Sequence, residues 1–183
     1  LDRAELVAIV HPAGTEVYPN EGLKPVPEPL RPFVIRSEQP LADARDEHEH
    51  DVRDRLAQMD RRYPDDFALD PLRGYAAEHT LTLTLPAAPS TGRRVLLMTG
   101  WTDYAFSGDN VAAHQRDLRM VPPMLQVPDG PGRWRTVIED IGFPVGRPQT
   151  VRVDLTSILP RDATVVRIVT TMRVYWDRIA VGI

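Results

Sequence analysis

Thr80-Leu81-Thr82-Leu83-Thr84-Leu85 alternates polar and apolar side chains without a fault. Successive residues of a strand point to opposite faces, so this stretch is read as a strand with one buried face. Val95-Leu96-Leu97-Met98 is a continuous apolar run, as expected of a central strand covered on both sides. Met124–Val127 and Trp134–Ile138 flank Pro128-Asp129-Gly130-Pro131-Gly132, a hairpin with a turn longer than the minimal one. Val151, Val153 and Leu155 alternate again. Val166, Ile168, Thr170, Met172, Val174 and Trp176 share one phase, whereas Ile179, Val181 and Ile183 share the other. That switch predicts a bulge or a turn near Trp176 and Asp177. About seven such strands is the count of an antiparallel β-sandwich.

Upstream the pattern is different. Glu5-Leu6-Val7-Ala8-Ile9-Val10 reads as one strand, closed by His11-Pro12-Ala13-Gly14. Six prolines between Pro19 and Pro40 (19, 25, 27, 29, 32 and 40) fix φ and remove donors. They predict an extended arm that drapes over a surface or links two parts, docked by Phe33, Val34 and Ile35. Residues 43–63 read as one helix: Val52, Leu56, Met59 and Tyr63 fall at i, i+4, i+7 and i+11, with Asp51 as N-cap and Pro64 as stop. The expected organisation is therefore an extension over residues 1–70, with one strand, the Pro-rich arm and a flanking helix, followed by a β-sandwich over 71–183.

At 183 residues the chain is long enough for one domain with a sizeable core, and 42% apolar against 26% charged residues marks it as globular. A net charge of −4, with arginines dispersed among acids, gives no pull toward nucleic acid. Of the 22 basic residues only Lys24 is lysine, which reads as the codon bias of a GC-rich genome. With no cysteine there are no disulfides, thiolate metal sites or cysteine nucleophiles. No apolar run approaches the ~18 residues of a membrane span. The chain opens at Leu1, not Met, and shows no signal peptide, which reads as a processed product or a piece of something longer.

The loop between a strand and a short helix expected over Asn110–Leu118 gathers most of the chemistry. Trp101, Tyr104 and Phe106 lie beside Asp103, Asp109 and Asn110. Sugar recognition needs this mixture, an aromatic face for ring C–H groups and carboxylate or amide groups for paired hydroxyls. Arg147, Arg173 and Tyr175 extend the candidate ligand surface. A plainer reading has Trp101 and Phe106 plugging the end of the sandwich, Ser107 or Asp109 capping the helix, and Arg173 paired with Asp177 across strands. Asp46-Glu47-His48-Glu49-His50-Asp51 resembles metal bait, but spacing fixes no third ligand, and an acid-rich helix N-terminus accounts for it without a metal. His11, His79 and His114 are isolated. No Walker loop, GxSxG, dinucleotide fingerprint or kinase signature occurs, so no catalytic residue is assigned.

The run Val95–Tyr104, then Trp134–Ile138, Gly146–Leu155, Val166–Val169 and Tyr175–Ile179, resembles a galactose-binding-like jelly roll in its order of strand patterns. The whole chain, including His11–Asn20 and Arg62–Phe67, is also similar to the terminal region of large bacterial FG-GAP or tetratricopeptide repeat proteins, the kind that carry an ASPIC/UnbV domain. These resemblances imply an exported parent, with an extracellular or periplasmic location, glycan binding through loops at one end, and a structural calcium. No calcium motif accompanies them here. The leading expectation is a non-catalytic, carbohydrate-binding module without a cofactor. The alternative is a structural or protein-interaction domain whose partners are other domains or subunits of a larger assembly.

Overall fold

The computed structural model describes residues 4–25, 32–88 and 92–183. In chain order these form β1 (Glu16–Tyr18), β2 (Phe33–Ile35), β3 (Glu38–Pro40), β4 (Asp43–Arg45), a 3-10 turn (Arg53–Leu56), β5 (Tyr75–Thr84), β6 (Val95–Thr102), α1 (Ser107–Gln115), β7 (Met124–Pro128), β8 (Trp134–Ile138), β9 (Gln149–Asp154), β10 (Val165–Met172) and β11 (Val174–Gly182). The fold is mainly β, an antiparallel sandwich. A five-stranded sheet in the order β4-β5-β10-β7-β8 faces a four-stranded sheet in the order β3-β11-β6-β9. No helix is long and apolar enough to cross a membrane among the described residues.

The alternation of β5 is what the sandwich uses. Leu81, Leu83 and Leu85 point into the core, where they meet Leu96 and Met98 of the facing sheet and Leu125 and Ile168 of their own. Each such side chain contributes about 1.5–3 kcal/mol by leaving water. Val95 and Leu97 point the other way and are equally buried, because Ile35, Phe33 and Tyr18 of the small β1–β2 sheet cover them. The apolar run at 95–98 is thus a strand buried on both faces, and the Pro-rich arm supplies its outer cover. Its residues 26–31 lie outside the described residues.

β10 and β11 are nearly one continuous strand. The chain leaves one sheet at Met172 and enters the other at Val174, with Arg173 alone at the corner. The predicted bulge is present beyond it: Trp176 pairs with Gly100 and Arg178 with Thr99, which leaves Asp177 as the extra residue. Asp177 is buried, and its carboxylate accepts the backbone N–H groups of Asp60 (3.2 Å) and Arg61 (2.8 Å). The expected Arg173–Asp177 ion pair therefore does not form; each side chain has other partners.

Three local expectations fail. Residues 5–10 form no strand; Leu6 and Val10 are almost fully exposed, so no neighbouring strand or core rewards pairing there. The helix over 43–63 is replaced by β4, a turn and the 3-10 turn. The Asp46 carboxylate accepts the N–H groups of His48 and His50, a side-chain-to-backbone closure that competes with helix, and Glu49 sits at φ 63°. Val52 and Leu56 of the supposed stripe are buried, but Met59 is exposed. The one α-helix among the described residues, α1, begins three residues before the expected start at Asn110 and ends at Gln115.

Candidate functional site

Gly100 determines how closely β6 approaches β11. A Cβ there would lie 2.4 Å from the Tyr175 carbonyl oxygen and 3.0 Å from Trp176. With no side chain in the way, the next pair in register, Trp101 and Tyr175, turns outward together. Their rings stack at 4.7 Å with an interplanar angle of 15°. Tyr63 meets both rings edge-on, at 6.1 Å from Trp101 and 5.8 Å from Tyr175. Phe67 lies 5.4 Å from Tyr175 on one side and stacks at 4.0 Å on the His79 imidazole on the other. Burial raises the pKa of the Tyr175 and Tyr63 phenols, so both stay neutral hydroxyls near neutral pH. Trp101, Tyr175 and Tyr63 keep part of their surface in solvent, whereas Phe67 is buried.

Beside this cluster stands a charged corner. Arg173 donates to the carbonyl oxygens of Tyr75 (3.0 Å), Asp70 (2.5 Å) and Leu72 (3.0 Å), and to the Asp103 carboxylate (3.2 Å). The second Asp103 oxygen takes the Arg73 guanidinium at 2.6 Å. Arg73 in turn lies over the Phe106 ring at 4.4 Å and the Tyr104 ring at 5.6 Å, and those two rings form an edge-to-face pair. Tyr104 and Phe106 are exposed.

The remaining residues proposed from sequence are more dispersed. Asp109 accepts the Phe106 N–H at 2.9 Å and so fixes the start of α1, while Asn110 accepts the Tyr75 hydroxyl at 2.9 Å. Arg147 is exposed in the turn before β9, where Gln149 pairs with Gly100. It therefore stands at the Trp101 end of the sheet but on the opposite side of β6 from Tyr175. The structure thus brings together Trp101, Tyr175, Asp103, Arg173 and Tyr104. Asp109 and Asn110 have local bonding roles, and Arg147 is set apart.

Tyr63 was missed as a partner because it was assigned to the stripe of the false helix, and Phe67, beyond Pro64, carries no periodic signal. A second group joins two residues of the 46–51 run, set aside from the sequence because spacing fixed no third ligand, to Asp66. Asp46, His50 and Asp66 place one ligand atom each within 4.8 Å of one another. Asp46 and Asp66 also line a cavity of about 20 Å³ with Phe67, His79, Thr80 and Thr170. Burial pushes the Asp46 carboxyl up, yet the hydrogen bonds from His50 and His48 outweigh it and hold it below the usual range. Burial pushes the His79 imidazole down, so it is kept neutral. Comparison with protein-family models, curated proteins and solved structures returns no match for this chain.

Proposed function

We propose that this chain is a non-catalytic carbohydrate-binding module of a larger exported protein. The observation that carries the reading is one end of the sandwich that presents two groups of aromatic rings together with a carboxylate shared by two arginines. Trp101, Tyr175 and Tyr63 supply apolar ring surface and neutral hydroxyls. Tyr104 and Phe106 stand exposed across the Asp103–Arg73 pair. A sugar ring matches this surface, its C–H face against aromatic carbons and its hydroxyls toward phenol, carboxylate and guanidinium groups. The strand order supports the jelly-roll resemblance, since β5 to β6, β6 to β7, β8 to β9, β9 to β10 and β10 to β11 all cross between the two sheets. The exported parent and the extracellular or periplasmic location rest on the resemblance to FG-GAP and tetratricopeptide repeat proteins.

A glycan array followed by affinity gel electrophoresis on the best ligand tests the reading. Tyr104→Ala, at an exposed position, should weaken retention about tenfold, the loss of one aromatic contact worth about 1–1.5 kcal/mol. Trp101→Ala combined with Tyr104→Ala should abolish it in protein that still melts cooperatively. Full retention by a folded double variant discards this site. A second reading, a structural or protein-interaction domain, is favoured by Leu6, Val7 and Val10, apolar side chains left exposed before β1. A monodisperse monomer whose arm is readily cut by protease counts against it.

A further inference from the structure

The turn after β4 and the chain returning through residue 66 join two side chains of the 46–51 run to a third, Asp66, that no spacing ties to them. Asp46 is 4% exposed, and one of its carboxylate oxygens is occupied by the backbone N–H groups of His48 (2.9 Å) and His50 (2.8 Å). The carboxylate is therefore fixed, with its second oxygen 2.9 Å from Nδ1 of His50. Asp66 completes the triangle. Its other contact in this region is a long one, 3.5 Å to the Arg55 guanidinium, which is shared with Asp65 and the Tyr63 carbonyl.

The adjoining cavity gives an independent indication. His79, 7% exposed, lines it, and the carbonyl of Ala77 at 3.0 Å takes its Nδ1 proton. In the neutral ring that leaves Nε2 as an acceptor, and no described residue donates to it. The cavity of about 20 Å³ has room for about one water.

We propose that Asp46, His50 and Asp66 bind a divalent first-row transition cation of the zinc class, with a water as fourth ligand donating to Nε2 of His79. One imidazole and two carboxylates make a three-ligand set with an open position. A calcium ion, which takes six to eight oxygens, is poorly served by it. The cation would tie the turn after β4 to the segment carrying Tyr63 and Phe67, both of which touch Tyr175.

The test uses the full chain freed of metal by chelator and titrated calorimetrically with Zn²⁺ and, separately, Ca²⁺. Saturable binding of one Zn²⁺ per chain, a raised melting temperature, tetrahedral visible bands with Co²⁺ and silence toward Ca²⁺ are expected. His50→Gln and Asp66→Asn, both at exposed side chains, should abolish that binding while the metal-free protein still melts cooperatively. His79→Gln should keep the stoichiometry and weaken affinity about 10–100-fold, as loss of an outer-shell partner does. His48→Gln, at an exposed neighbour, should change nothing. Absence of saturable Zn²⁺ binding, its survival in His50→Gln, equal loss in His48→Gln, or a preference for Ca²⁺ overturns the site. Unchanged affinity in His79→Gln overturns the bridging water.

Discussion

Arg173 shows how one side chain can fix a fold where the backbone pattern stops. It stands between β10 and β11, and three carbonyl oxygens and a carboxylate converge on its guanidinium, which is 13% exposed. Arg173→Ala removes a donor shared by four acceptors; Asp103 keeps Arg73, but the Asp70 carbonyl loses its partner, and losing hydrogen bonds from a charged group costs about 1.5–3 kcal/mol. Arg173→Lys keeps the charge but cannot span four acceptors from one point, so a loss of about 1–3 kcal/mol is expected. Urea unfolding of both variants checks this; values within about 0.5 kcal/mol of the parent, the range of an ordinary surface substitution, would show that the corner is held by something else. The sequence groups Asp103 and Arg173 in one candidate site, and in the fold their side chains lie 3.2 Å apart. It does not reveal that they bond mainly to the protein itself, since which acceptors surround a guanidinium is decided by strands distant in the chain.

At the level of elements, legibility follows burial. β5, β6, β7, β9, β10 and β11 could be read because each keeps at least one face in the core, and that face imprints its period on the residues, whereas β8, with no buried residue, was legible from the turn that joins it to β7. β3 and β4, three residues each, are too short to show a period; they form because β11 and β5 present open edges to them. The false helix arose from the converse, an apolar spacing at 52–63 that the core uses in only two places. Gly100 carries no periodic signal either, yet it controls the β6–β11 approach. Gly100→Ala forces a Cβ against the Tyr175 carbonyl, and overpacking of this kind costs about 1–3 kcal/mol. Gly108→Ala in α1 meets nothing within 4 Å and should stabilise by roughly 0.5–1 kcal/mol through helix propensity. Opposite shifts in melting temperature, with a changed near-ultraviolet circular dichroism for Gly100→Ala alone, are the expected outcome. Equal shifts would mean that the strand approach is tolerant.

For the whole molecule, the seam between the turn after β4 and the first half of β5 is where acid should act. His79 has a folded pKa lowered by burial, so on acidification the unfolded chain takes up its proton first. Stability should then fall as pH drops through about 6.5 and level off once the folded imidazole is also charged. Carboxylates act lower. Asp46, held down by His50 and His48 against the effect of burial, Asp70, held by the Leu72 N–H, and Asp43, held by Arg45, all have lowered values. Their stabilisation is present above about 3.9 and is lost as pH falls through their folded values. Acid unfolding of the metal-free protein should therefore show an upper limb controlled by His79 and a lower limb shared by the carboxylates. Urea midpoints measured from pH 8 to pH 3 separate the two: His79→Gln should flatten the upper limb and spare the lower, whereas Asp43→Asn should leave the upper limb intact. An upper limb that persists in His79→Gln would place the titrating group elsewhere in the sandwich, and the seam would no longer be its acid-sensitive joint.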